Sequence, residues 1–194
     1  MSLSVWDAHG LAHFSRRTYR NRYGMKYNSK LNLGCGNDIL KGYTNVDIFS
    51  MAPGIVKQDI FEFLRSISDN SVSEVICYYL FEHLTYDEVD ELLFLLSGRL
   101  EIDGIIKILV PNFSLICNSY KLNMRNINFL TRLLNYEVNV CSAESGHKSI
   151  WNSYLLRYYL TKENFYIITK SENGVGKNNL GIHIEAKRTK SGKY

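Results

Sequence analysis

Lys30-Leu31-Asn32-Leu33-Gly34-Cys35-Gly36-Asn37 is a short apolar run that stops at two glycines one residue apart. The pattern predicts a buried parallel strand ending in a tight turn. Glycine lets the main chain turn sharply and lets a ligand approach it closely. Asn45-Val46-Asp47-Ile48 follows as a second short strand with a carboxylate near its end. A glycine turn after one strand and an acid after the next is an arrangement that holds a nucleoside, with the carboxylate on the ribose hydroxyls. The bland reading of Gly34-Cys35-Gly36 is a tight turn with no ligand. A dinucleotide fingerprint requires a third small residue, and bulky Ile39 stands in its place.

The chain has 194 residues, enough for one full-sized core. A net charge of +4 is too small to announce a nucleic-acid binder. Cys35, Cys77, Cys117 and Cys141 are far apart and form no C-x-x-C pair. Neither a disulfide framework nor a zinc site is expected from them, and a reducing cytoplasm is the expected setting. No apolar run approaches the ~20 residues of a membrane span. His9 and His13 are four apart but have no third ligand nearby, so no metal is expected.

Residues 1–29 mix tyrosines with arginines. Leu11, Phe14 and Thr18 are spaced for a weakly amphipathic helix, either a solvated extension or a lid or partner surface, as in a homodimer. Strand candidates follow near 30–33, 45–48 and 55–57. The connections 37–44 and 49–54 are too short for the usual crossover helices. One face of the early sheet should therefore lack helices, and the N-terminal segment is the nearest candidate to cover it.

Asp59 follows the third candidate, and a short helix runs from about Phe61 to Ser66. Val72–Tyr79 reads as the next strand. Thr85-Tyr86-Asp87-Glu88 has capping-box spacing and opens a helix with Val89, Leu92, Leu93 and Leu96 on one face. Ile105–Val110 is the clearest strand, ended by Pro111. Asn128–Tyr136 and Asn152–Thr161 read as helices. Phe165–Thr169 and Ile182–Ala186 form a final pair, and the basic tail 189–194 frays. The expected class is α/β: a Rossmann-like, seven-stranded, mostly parallel sheet with an antiparallel C-terminal hairpin and shortened early crossovers. Ligands on such sheets bind beyond the carboxyl ends of the strands, where Gly34, Gly36, Asp47, Asp59, Tyr79 and Pro111 all fall.

These residues resemble the class I S-adenosylmethionine-dependent methyltransferases over about 30–188. Leu31–Gly36 is similar to that family's first motif, and Asn45–Ile48 to the segment carrying its ribose-binding acid. Asp59-Ile60 resembles the pair at the adenine, and Leu80-Phe81-Glu82-His83-Leu84 the segment after the fourth strand of small-molecule methyltransferases. The similarity is strongest to a compact, largely uncharacterised bacterial and archaeal branch, which also carries a His-Lys pair, here His147-Lys148. The resemblance implies S-adenosylmethionine as cofactor, bound through Asn32, Gly34, Cys35, Gly36, Asp47, Ile48, Asp59, Ile60, Tyr79 and Leu80. Two departures stand out: Asn32 replaces a common acid, and the first crossover is truncated.

Methyl transfer from a sulfonium needs mainly alignment, and a hydroxyl acceptor also needs a base. His83 and His147 are the candidates, with Glu82 orienting the substrate or holding backbone. His83 could instead cap a turn, and His147 could merely shape a loop. No D/N-P-P-Y/F stretch follows the fourth strand and no Pro-Cys pair occurs, which argues against amino methylation of adenine or glutamine and against pyrimidine-carbon methylation. The expected acceptor is a small molecule or glycan precursor, with 113–150 as its pocket. A cofactor-binding module without catalysis and a nicotinamide oxidoreductase remain the alternatives.

Overall fold

The computed structural model describes residues 17–122, 146–172 and 181–190, with backbone alone for 119–122. The central strand β3 (Lys30–Leu33) pairs in parallel with β4 (Thr44–Val46) on one side and β5 (Val72–Tyr78) on the other. β6 (Leu100–Pro111) extends the parallel set. β8 (Gly181–Arg188) and β7 (Phe165–Ser171) complete the sheet as an antiparallel pair, in the order β4-β3-β5-β6-β8-β7. β1 (Thr18–Arg20) and β2 (Lys26–Asn28) form a separate hairpin.

The sheet has six strands rather than the expected seven. Val56 makes only an isolated bridge to Val46, because the chain turns at Pro53-Gly54 immediately before it. The bridge puts that segment beyond β4, where the missing strand would lie. Leu100–Gly104 belongs to β6 but not to a continuous ladder. The pairing jumps from Val72↔Leu100 to Glu74↔Ile105, and Asp103 takes φ 69° in the excursion.

The two faces of the sheet differ sharply. Leu31, Leu33, Val75, Cys77, Ile106, Ile108, Val110, Ile182, Ile184 and Ala186 alternate onto one face and are fully buried. Alternation puts Lys30, Asn32, Glu74, Tyr78, Lys107, His183, Glu185 and Lys187 on the other. The apolar face is covered by α1 (Ile60–Ser66), α2 (Tyr86–Arg99) and, after α3 (Phe113–Leu122), α4 (Ser153–Lys162); α1, α2 and α4 supply Phe63, Leu64, Leu92, Leu93, Leu96, Leu156 and Leu160 to the same core. α2 begins at the expected capping box, with Thr85 Oγ1 accepting from Glu88 N at 3.2 Å and Glu88 Oε2 accepting from Thr85 N at 2.7 Å. Its four predicted apolar residues are completely buried, each contributing roughly 1.5–3 kcal/mol.

An ion-pair cluster centred on Glu74 stands on the other face. Glu74 accepts from Lys30 at 2.8 Å and from the Tyr43 hydroxyl at 2.5 Å, and pairs with Lys107 at 3.0 Å. Burial alone would push the Glu74 carboxyl up, but hydrogen bonds from Lys30, Tyr43 and Lys107 outweigh it and hold it at about 2.

The N-terminal segment departs from the expectation. Residues 1–16 lie outside the described residues, and Thr18 is in a strand, not a helix. Tyr19 and Tyr27 face each other across the hairpin and stack at 5.5 Å, which a helix could not provide. The hairpin also packs on the helical face: Tyr27 meets Phe63 edge-on at 6.2 Å, and Asn21 donates to Ser66 Oγ at 3.1 Å. Residues 17–29 thus sit against α1, on the face that carries the helices α1 and α2, rather than on the opposite one. The expected helix at 128–136 lies outside the described residues. Among the described residues, no helix is long and apolar enough to cross a membrane.

Candidate functional site

The carboxyl ends of β3 and β5 open into a cleft of about 830 Å³ lined by Asn32, Gly34, Cys35, Gly36, Asn37, Asp38, Ile39, Leu40, Tyr78 and Tyr79. Gly34 turns the chain at φ 62°. A Cβ there would lie 2.7 Å from Leu80 Cδ1, so the position excludes a side chain on two counts. Gly36 is also left-handed, at φ 51°, but nothing lies within 4 Å of where its Cβ would be. The main chain at Gly36 therefore faces open space.

Asp47, just past β4, holds this loop. Its Oδ2 accepts from Gly36 N at 2.8 Å, and its Oδ1 accepts from Phe49 N and Ser50 N, both at 2.8 Å. Burial, followed by the Asp47 charge, pushes the Cys35 thiol up to about 11, so it stays protonated at neutral pH.

The truncated crossover is held by two asparagines. Asn32 Nδ2 donates to Asp38 O at 2.8 Å and to Asn45 Oδ1 at 2.9 Å. Asn45 also accepts from Leu40 N at 2.9 Å and donates to Leu40 O at 3.2 Å. Asn32 is only 4% exposed, and its amide is committed to the loop. Asn45 carries as much of this architecture, yet only its place in a strand was visible in the sequence.

The remaining predicted cofactor residues are less uniform. Tyr79 ends β5 at φ 54°, half exposed. Asp59 caps α1, its Oδ1 accepting from Phe61 N and Glu62 N. Ile48 is exposed beside Asp47, whereas Ile60 turns into the core.

A second cleft, of about 160 Å³, is lined by residues that include Glu82, Tyr86, Pro111, Phe113, His147 and Trp151. Here residues 146–151 are fastened to the 3₁₀ turn Phe81–His83. Lys148 N and Ser149 N donate to Glu82 O at 2.7 and 3.2 Å, and Ser149 Oγ donates to Phe81 O at 3.0 Å. Trp151, almost fully buried, donates from Nε1 to Ser149 Oγ at 2.9 Å and meets Phe81 edge-on at 5.8 Å. The fastening sets the His83 and His147 rings edge to face, 5.0 Å apart. Glu82 is 2% exposed, and its Oε2 has no hydrogen-bond partner among the described residues. Burial pushes its carboxyl up to about 8. The three residues expected to be catalytic are thus brought together beside this cleft. His183 lies on β8, with Nε2 3.3 Å from the Tyr78 hydroxyl, apart from them.

The arrangement of strands and helices recurs in solved structures. A SAM-dependent methyltransferase from Archaeoglobus fulgidus superposes with a TM-score of 0.55 at 18% identity, over 82% of this chain and 85% of that one. The fold is that of the class I S-adenosylmethionine-dependent methyltransferases. A Methanosarcina mazei methyltransferase gives a TM-score of 0.54 at 17% identity, over 82% of this chain and 92% of that one. The Burkholderia thailandensis 1,6-didemethyltoxoflavin-N1-methyltransferase, solved with its substrate and S-adenosylhomocysteine, gives 0.58 at 13% identity, over 83% of this chain and 71% of that one. No family model matches the chain, and no curated protein matches it in sequence.

Proposed function

We propose that this protein is a cytoplasmic S-adenosylmethionine-dependent methyltransferase acting on a hydroxyl of a small molecule or glycan precursor. The observation that carries the reading is the 830 Å³ cleft over an open glycine loop whose amide is anchored by Asp47. The fit to the cofactor rests on this chain's own atoms: a Cβ-free cradle at Gly36 and a carboxylate at the end of the next strand. Each carboxylate oxygen has two lone-pair sites, so Asp47 can anchor Gly36 and still accept from ribose hydroxyls. Gly34, Cys35 and Gly36 form the floor of the cofactor site, with Asn32 beneath them and Tyr79 and Leu80 as its wall. Ile48 and Asp59 are assigned to the adenine side, Asp59 through the oxygen that does not cap α1.

When bound, S-adenosylmethionine supplies an electrophilic methyl group. The chain's part is alignment and proton removal. His147, which lines the 160 Å³ cleft, is assigned to accept the proton of a hydroxyl there, and His83, with its ring 5.0 Å away, is the second candidate. Glu82, neutral at pH 7, can donate a hydrogen bond to the acceptor.

Calorimetry tests the reading directly: S-adenosylhomocysteine should bind and NAD should not. Asp47→Ala should weaken binding by roughly 1.5–3 kcal/mol, the worth of hydrogen bonds to a charged acceptor. Failure of the wild-type protein to bind S-adenosylhomocysteine would overturn the proposal.

A further inference from the structure

Glu82, His83 and His147 each offer one ligand atom, and these atoms all lie within 4.8 Å of one another. The sequence contained no reason to expect a metal there, because adjacent residues at 82 and 83 lack the usual ligand spacing and His147 is distant. We propose that these three residues bind a divalent first-row transition-metal ion, with zinc(II) as the representative.

Three observations carry the assignment. The first is the donor set. Two imidazoles and one carboxylate suit zinc, iron(II) and related ions, whereas magnesium and calcium prefer all-oxygen sites. Three protein ligands also leave a coordination position open toward the neighbouring cleft, as catalytic sites do.

The second is the geometry. A Zn–N bond of ~2.0–2.1 Å and tetrahedral angles put the centroids of two bound imidazoles roughly 5 Å apart. The His83 and His147 rings stand at 5.0 Å. Two of the ligands come from one 3₁₀ turn, and the third from the segment whose Lys148 and Ser149 amides bond that turn at Glu82 O. The backbone therefore holds the cluster together without help from an ion.

The third is the Glu82 oxygen. Oε2 is buried and has no partner among the described residues. Such an atom costs stability unless something fills its place, and a cation beside it would do so. A merely structural glutamate in that position would be expected to find a donor.

Ligation would deprotonate Glu82 and take up the imidazole lone pairs assigned above to proton removal, so the base reading applies to the metal-free protein, and metal binding is tested without cofactor. Tag-free, full-length protein is stripped with chelator and titrated with zinc chloride, and its metal content is measured after dialysis. About one zinc ion per chain is expected. His83→Ala, His147→Ala and the near-isosteric Glu82→Gln should each weaken binding by about tenfold or more. A His9→Ala/His13→Ala double variant should bind like wild type, since that pair could capture zinc adventitiously. Thermal melts of the metal-free variants control for folding, and Glu82→Gln decides if the histidine variants unfold. Cobalt(II) should give the visible absorption of a low-symmetry nitrogen and oxygen site, lost in His147→Ala. Absence of binding, or binding unchanged by Glu82→Gln and abolished at His9 and His13, overturns the proposal. S-adenosylhomocysteine titrated into the same samples shows separately whether the transferase reading stands.

Discussion

Asn32 and Asn45 sit opposite each other on β3 and β4, and Asn32 Nδ2 donates to Asn45 Oδ1 at 2.9 Å. The Leu40 amide donates to the same oxygen, which fixes the orientation of the Asn45 side chain. A carboxylate at position 32 could not donate, and would face Asp38 O and Asn45 Oδ1, both acceptors. The amide is therefore a structural requirement of the short crossover. Asn32→Asp should cost about 1–3 kcal/mol in urea unfolding at pH 7 and weaken S-adenosylhomocysteine binding. An unchanged denaturation midpoint would show that the loop does not depend on this pair.

Gly34 is under two independent constraints, a left-handed backbone and the approach of Leu80. Gly34→Ala should lose about 1–2 kcal/mol from the backbone alone, and more from the contact. In a double-mutant cycle, Gly34→Ala should cost less in the Leu80→Ala background than in wild type, by the contact share. An equal cost of Gly34→Ala in both backgrounds would show that the steric contact is immaterial.

Glu74 sets an acid-side stability limit. Its folded value, about 2, lies below its ordinary carboxyl value of 4.5. The folded state therefore binds fewer protons between those values, so stability present above pH ~4.5 is lost as pH falls toward ~2. Glu74→Gln should flatten that part of the stability curve. Tyr43→Phe removes one hydrogen bond and should move the acid-unfolding midpoint upward. Parallel curves for wild type and Glu74→Gln from pH 5 to pH 2 would refute the assignment.

Ser149 connects Trp151 to Phe81 O. Ser149→Ala leaves the buried Trp151 N–H without its acceptor, at a cost of about 1–3 kcal/mol. It should also loosen His147, lowering zinc affinity while S-adenosylhomocysteine affinity stays at the wild-type level. A loss of both affinities together would mean that the substitution disturbs the sheet rather than the fastening.

The parts of the fold legible in the sequence were those written in local spacing. The Gly34/Gly36 turn, the Thr85–Glu88 capping box and the buried face of α2 each depend on residues within two turns of chain. The β1–β2 hairpin was missed because three-residue strands such as Thr18–Arg20 are too short to show alternation, and their arginines and lysines mimic a solvated helix. The same brevity reduced the expected strand at 55–57 to one bridge at Val56. Glu82, His83 and His147 were named individually, but their convergence depends on hydrogen bonds between residues 66 to 68 positions apart. No periodicity reports such a contact. The role of Asn45 was hidden for a similar reason: an asparagine in a strand looks ordinary until its partner across the ladder is known.

The fastening of residues 147–151 onto the Phe81–His83 turn has an evolutionary consequence. His147 is positioned by main-chain bonds to Glu82 and by Trp151, not by the length of chain that leads to it. Insertions, deletions and rapid divergence upstream of Gly146 can therefore accumulate without displacing the imidazole. Such a scaffold tolerates the rewriting of one segment while the imidazole stays in register with Glu82 and His83.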